Sequence, residues 1–348
     1  MTTTDTSSGG AAPASTARRT TIAKALNAGM RAAMERDDKV LLMGEDIGKL
    51  GGVFRITEGL QKDFGEHRVL DTPLAEAGIM GTAVGLALRG YRPVVEIQFD
   101  GFVYPAFDQI VSQVAKMHYR SLGKLKLPMV IRIPYGGGIG AVEHHSESNE
   151  SYFAHTAGLR VATVSTAEDA YWMMQQAIAS DDPVVLYEPK RRYHERGVLD
   201  LGGGVPDLAD APYALDEAVV RAEGSDVTVL TYGPMVKVAL AAAQASELED
   251  GPSIEVVDLR SLSPLDTDAV EASVRKTGRC VTLSEAQTFT SITAELAAHV
   301  QRHCFYDLEA PVVQVGGYNI PYPPSRHEEV FLPDLDRVLH AVDTVMGY

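Results

Sequence analysis

The 348-residue sequence has almost no cysteine: only Cys280 and Cys304, with no CxxC spacing. That excludes a disulfide framework and a thiolate zinc site, and predicts two buried or idle thiols in a reducing compartment. Positive charge is scarce too. Lys and Arg number 31 against 47 Asp and Glu, for a net charge of −16. A general nucleic-acid binder needs a basic face, and so does a protein that docks on anionic lipid. No stretch approaches the ~18 apolar residues of a membrane span. The N-terminus MTTTDTSSGGAAPASTA lacks both an early positive charge and an apolar core, so it does not read as a secretory signal. It reads as a disordered tail over 1–19, and the protein is expected to be cytoplasmic. The motifs GxxxxGK[ST] and HExxH are absent as well, which speaks against nucleotide hydrolysis and against a zincin site.

What is present is ordinary globular composition, 45% hydrophobic and 22% charged, enough to bury a core without covalent help. At ~150 residues per domain the length implies two domains. Apolar residues at Ile22, Leu26, Met30 and Met34 have helical spacing, and VLLMG (40–44) reads as a buried strand. A helix is expected from Thr72-Pro73 to Leu88, stopped by Gly90. A strand follows at 94–99, a helix at 104–119 and a strand at 128–133. A helix at 167–179 leads into a strand at 184–188. Periodicity is lost over 189–212, which reads as a linker. Strand–helix alternation then resumes to the C-terminus. Alternation of this kind predicts α/β architecture, two parallel-sheet domains over 20–188 and 213–348.

In parallel α/β sheets, ligands bind beyond the carboxyl ends of strands. Three strand exits are polar or glycine-rich: Glu45-Asp46, Asp100-Gly101-Phe102, and PYGGGIGAVEHHSES (134–148). GGGIGA (136–141) fits G-x-G-x-x-A, but no helix opens after it and no ribose-binding acid follows, so a nicotinamide site is rejected. Its glycines read instead as a place of close backbone approach. Glu143, His144, His145, Glu147 and His155 lack a metal-ligand spacing, and one histidine acting as an acid–base group fits better. Glu76 opens a helix that is otherwise small and apolar, AGIMGTAVGLAL. It is either a carboxylate with a chemical task or one favoured by the helix dipole, and composition leaves both readings open. Gly81 and Gly85 form a GxxxG that permits close packing, expected at a subunit interface.

The blocks GED (44–46), GGVFR (51–55), TPLAEAGIMG (72–81), EIQFDGFVYPAFDQI (96–110), HHSES (144–148), YFAH (152–155) and LEAP (308–311) resemble the beta subunit of branched-chain 2-oxoacid (2-oxoisovalerate) dehydrogenase. The resemblance runs from about Thr20 to the C-terminus. It implies a transketolase-like pyrimidine-binding domain followed by a transketolase C-terminal-like domain. It further implies thiamine diphosphate as cofactor and activity only with an alpha subunit, in an α2β2 heterotetramer. The alpha subunit would hold the diphosphate and Mg2+. In keeping with this, no GDG…N motif occurs here. The acyl product would pass to a lipoyl-bearing dihydrolipoyl transacylase core.

Carried over by position, Glu76 matches the glutamate that bonds the pyrimidine ring nitrogen, and Phe102 matches the aromatic that stacks on the ring. Glu45, Leu74 and Gln98 match other residues around it. His145 matches the histidine that assists acyl transfer. A monovalent cation, K+, maps to Met129, Ala177, Ile178, Ser180 and Asp182, largely through carbonyls, with Ser180 replacing a usual Asp and Asp182 a usual Asn. The chain also departs from the family pattern at 284–291 and at Asn319-Ile320, which bears on domain contacts and docking of the core. Alternatives are the same chemistry on pyruvate or acetoin, a single-chain transketolase-like enzyme, and a non-catalytic scaffold subunit.

Overall fold

The computed structural model describes residues 17–200 and 206–348. Most of the expected tail and the glycines at 202–204 lie outside the described residues. The first part of the chain contains β1 (Arg18–Thr21), α1 (Ile22–Arg36), β2 (Val40–Gly44), α2 (Leu60–Phe64), β3 (Val69–Asp71), α3 (Glu76–Leu88), β4 (Arg92–Glu96), α4 (Ala115–Arg120), β5 (Val130–Tyr135), α5 (Glu150–Ala154), β6 (Arg160–Thr163), α6 (Ala167–Ala179), β7 (Val184–Pro189) and β8 (Arg196–Leu199). Six of these strands form a parallel sheet in the order β6-β7-β5-β4-β2-β3.

Both faces of that sheet are covered, which is why its strands are continuous apolar runs. Leu42, Val94, Val130 and Leu186 face α1 and α6, whose Leu26, Met30 and Met173 are fully buried. Met43, Val95, Ile131 and Val185 face the other way, towards Ile79, Met80 and Ala83 of α3. Each such large side chain contributes about 1.5–3 kcal/mol on burial. Thr21 and Thr166 cap α1 and α6 by accepting from the amides of Lys24 and Asp169.

The second part contains β9 (Val219–Ala222), β10 (Val227–Thr231), α7 (Val236–Leu248), β11 (Ile254–Asp258), β12 (Ser261–Ser263), α8 (Thr267–Thr277), β13 (Cys280–Gln287), α9 (Ile292–His303), β14 (Val313–Gly317), α10 (Glu328–Phe331) and α11 (Leu335–Met346). Its sheet has the order β14-β13-β10-β11-β9, parallel except for β9. The short β12 leaves this sheet and pairs antiparallel with β6, so the second part of the chain adds a seventh strand to the first sheet. Cys280 and Cys304 are both buried and free. Among the described residues no helix is long and apolar enough to cross a membrane.

Several local expectations are corrected. Helix α3 begins at Glu76, not at Thr72-Pro73. The helix expected over 104–119 is a 3-10 segment (Asp100–Ala106, with Pro105 inside), a π-helical turn (Gln109–Val114) and then α4. Arg18 and Arg19, expected in the tail, belong to β1. The stretch 189–212 is only partly a connection. Pro189 ends β7, Lys190 and Tyr193 are buried, and β8 pairs antiparallel with β1. Its lack of periodicity reflects polar pairing inside the first domain.

Candidate active site

Three of the polar strand exits meet beyond β2, β4 and β5. Register brings them together: Gly44 lies beside Glu96, and Glu96 beside Arg132. Glu45 follows Gly44 and is 4% exposed, yet neither carboxylate oxygen has a hydrogen-bond partner. Burial, then the neighbouring charges of Glu76, Asp46 and Glu96, push its pKa up to about 7. The Thr72 hydroxyl is also buried and unpartnered, and its amide donates to the Gly44 carbonyl at 3.0 Å.

Glu76 is the first residue of α3. The preceding Ala75 offers no side-chain cap, and no hydrogen bond or ion pair of the Glu76 carboxylate is found among the described residues. Dipole stabilisation of α3 therefore accounts for its place in the helix but supplies no partner. Glu76 is half-buried, Gln98 is half-buried and Leu74 is 82% exposed. Of the three, Glu76 stands close enough for its charge to act on Glu45.

Aromatic rings cluster at the exits of β4 and β5. Phe102 meets Phe99 edge-on at 5.7 Å and His145 edge-on at 5.0 Å, and His145 stacks on Phe99. The loop carrying His145 sits against Gly101, where an added Cβ would lie 2.3 Å from the His144 carbonyl oxygen. Glycine is required there for that close approach. Burial holds the His145 pKa below the ordinary histidine value, and its Nδ1 is buried without a partner. His144 stands perpendicular to it and is exposed. Among the described residues no group of three or more His, Cys, Asp or Glu is arranged to hold a metal ion.

Behind the aromatic cluster lie charges that sequence pattern did not reveal. Arg132 pairs with Glu188 through Nε at 2.7 Å and Nη2 at 2.8 Å, and with Glu96 through Nη1 at 2.5 Å. Tyr193 donates to Glu188 at 2.7 Å. Lys190 pairs with Asp100, both fully buried, and Asp100 Oδ2 accepts from the Glu147 amide at 2.9 Å. Burial outweighs pairing on both members, raising Asp100 to about 6 and lowering Lys190. Only the DGF block signalled Asp100. Lys190 fell inside the expected linker.

The five positions mapped to a cation gather at the C-terminal end of α6 and the starts of β5 and β7. Arg92 Nη1 donates to the carbonyls of Ile178 at 3.0 Å and Ser180 at 2.9 Å. The Met129 carbonyl accepts from Val184, the Ala177 carbonyl from Ser180, and the Asp182 carbonyl from the Ser180 hydroxyl. The Asp182 carboxylate is bonded to His118 at 2.6 Å. A guanidinium and backbone donors each take one lone pair of these carbonyls, which leaves a second on each.

A cavity of about 1110 Å³ lies between the domains, lined in part by Phe107, Tyr152, Phe289 and Tyr322. It touches Ser146 and Glu147 but not Glu45, Glu76, Phe102 or His145. The candidate site residues thus lie outside this cavity.

Comparison with known proteins identifies the two domains. Residues 18–195 match the transketolase pyrimidine binding domain, and residues 216–338 the transketolase C-terminal domain. The chain is 56% identical over 325 residues to the "Pyruvate dehydrogenase E1 component subunit beta" of Leifsonia xyli subsp. xyli, covering 93% of this chain and 94% of that one. It is 52% identical over 326 residues to the "3-methyl-2-oxobutanoate dehydrogenase subunit beta" of Mycobacterium tuberculosis, covering 94% and 92%. The "2-oxoisovalerate dehydrogenase subunit beta" of Pseudomonas aeruginosa is 45% identical, covering 96% and 97%. A solved "Split gene transketolase, inactive beta4 tetramer" superposes with a TM-score of 0.75 over 94% of this chain and 98% of that one, at 23% identity, and shows the shared fold. The two transketolase-type domains and the relatives that span them show that this chain belongs to the beta-subunit family of the 2-oxoacid dehydrogenases.

Proposed function

We propose that the chain is the beta subunit of a thiamine-diphosphate-dependent dehydrogenase of branched-chain 2-oxoacids, active with an alpha subunit that holds the diphosphate and Mg2+. The observation that carries this is Glu45: a buried carboxylate with no donor among the described residues, close to the charge of Glu76. Such a gap fits a planar heterocycle with N–H groups, as the aminopyrimidine of thiamine has. When bound, thiamine diphosphate supplies a nucleophilic carbon and an electron sink.

The residues of this chain then divide the work. Glu76 holds a proton at the ring nitrogen. Glu45 accepts a hydrogen bond that nothing among the described residues offers it. Phe102 stacks on the ring, and Leu74 and Gln98 border it. In the net reaction the bond between the carboxylate and the oxo carbon breaks and carbon dioxide leaves. The acyl carbon bonds to one sulfur of a lipoyl disulfide, which takes up the two electrons. The second sulfur takes a proton, and His145 is placed to relay it: the neutral imidazole takes up a proton on one ring nitrogen and gives it to the sulfur from the imidazolium. The lipoyl group belongs to a transacylase partner. The outer face of α3 supports a subunit contact, because an added Cβ at Gly81 or Gly85 would meet nothing within 4 Å in this chain.

Substrate choice rests on the branched-chain relatives and on GGVFR, whose Phe54 packs edge-on against Phe99 at 5.4 Å and so joins the aromatic cluster beside His145. The 56% identical pyruvate-type relative favours pyruvate as a second reading. Comparing kcat/KM of the reconstituted enzyme on pyruvate, 2-oxobutyrate and 2-oxoisovalerate decides between them. Equal or faster turnover of pyruvate overturns the branched-chain reading and leaves the class of reaction standing.

A further inference from the structure

The loop that carries His145 is held by the other domain. Its two arms are tied at the base, where the Gly136 amide donates to the Glu147 carbonyl at 2.9 Å. Gly136, Gly138 and Gly140 have φ of +82°, +85° and +71°, so the backbone turns in a way that side chains resist. Three amides of the glycine arm point at carboxylates from the second domain. Gly137 donates to Glu285 Oε1. Gly138 donates to Glu328 Oε1 at 2.6 Å, and Gly140 to Glu328 Oε2 at 3.0 Å. Tyr322 also donates to Glu328 Oε1 at 2.6 Å, and Arg191 Nη2 lies 2.7 Å from Glu285 Oε2.

Glu285 is 3% exposed and Glu328 7%. Charge-assisted bonds shielded in this way are strong and directional. The glycines match the clamp. A Cβ at 137 would lie 1.8 Å from the Tyr322 hydroxyl, and one at 136 would lie 2.8 Å from Glu285 Oε1. The opposite arm carries His145 onto Phe99 and packs His144 against Gly101.

We propose that Glu328 and Glu285 are positioning residues for His145: by fixing the glycine arm, the second domain sets where the imidazole stands during acyl transfer. This rests on the reading of His145 given above. Neither carboxylate touches Glu45, Glu76 or Phe102, so the clamp acts on one half of the reaction.

The test uses the full-length chain reconstituted with its alpha partner. Glu328→Gln puts an amide where two N–H donors need a carboxylate. Acyl transfer to a lipoyl domain should fall about 10- to 100-fold, the cost of a small misplacement of a reacting group. Decarboxylation with ferricyanide as acceptor should stay within about twofold on the same principle. In a His145→Ala background the same substitution should cost nothing further. An equal loss in both assays, or a full loss retained in the His145→Ala background, overturns the proposal. If His145→Ala alone leaves acyl transfer intact, the reading of His145 fails first, and the clamp has no histidine to position. Should Glu328→Gln not assemble, amide hydrogen exchange on the unmodified enzyme decides. Gly137, Gly138 and Gly140 must be protected as strongly as the neighbouring strand β5, and fast exchange there overturns the clamp.

Discussion

His145 lies flat on Phe99, with ring centroids 4.0 Å apart and planes at 24°. Phe102 closes the edge of the same imidazole. Partial burial there leaves an imidazolium less well hydrated, which is why its pKa is held down. The pair also explains why the DGF block and the HHSES block, far apart in sequence, form one cluster.

His145→Ala should therefore separate the two halves of the reaction. Loss of a positioned acid–base group costs about 10²–10⁴ in the step it serves. Transfer to a lipoyl domain should lose that factor, and decarboxylation with an artificial acceptor should lose less. Parallel losses in the two assays would show that the histidine serves decarboxylation instead.

Glu76→Gln keeps the size of the side chain and the start of α3. On the proposed role it removes the mobile proton at the pyrimidine nitrogen. Decarboxylation should drop by about 10²–10⁴, with tetramer assembly unchanged by size-exclusion chromatography. If the residue served only the helix dipole, the cost would instead be about 0.3–1 kcal/mol of stability with turnover intact. Retention of more than half of the activity would rule out the assigned role.

The isolated chain should bind thiamine diphosphate weakly, because it has no GDG…N motif for the metal and diphosphate. Adding the alpha partner should tighten binding by orders of magnitude. Isothermal titration calorimetry with and without the partner measures this. Micromolar binding by the beta chain alone would contradict a shared site.

Glu150 predicts a pH effect on stability. Tyr232 of the second domain donates to its Oε1 at 2.6 Å, its Oε2 has no partner, and burial raises its pKa from 4.5 to about 7. Between those values the folded chain holds a proton that the unfolded chain has released. The protonated group favours folding below pH 4.5, and that contribution is lost as pH rises through about 7, where a charge must be buried. A shift of that size corresponds to at most about 3 kcal/mol. Glu150→Gln stays neutral and keeps the acceptor for Tyr232. Its Tm should exceed that of the wild type at pH 8, with the gap closing towards pH 5. A gap independent of pH would show that Glu150 is not the titrating group.

The sequence by itself determined the α/β architecture and the order of its layers. A strand such as VLLMG is apolar at every position because both faces are covered, and that property is local. Glu76 was legible for the same reason: one carboxylate stands out on a small apolar helix. Phe102 and His145 came from blocks that resemble a family. The helix expected from 104 to 119 was not legible in detail, since a π turn differs from an α turn by one residue per hydrogen bond.

Only the tertiary structure decided which charges meet. Arg132 is joined to Glu96 and Glu188 by the register of three neighbouring strands, and Lys190 reaches Asp100 from a stretch that resembled a linker. Glu328 lies 190 residues along the chain from Gly138, which it holds. Periodicity reports which face of an element is buried. The partner of a buried carboxylate depends on strand register and on how the two sheets pack, and no local pattern of residues encodes that distance.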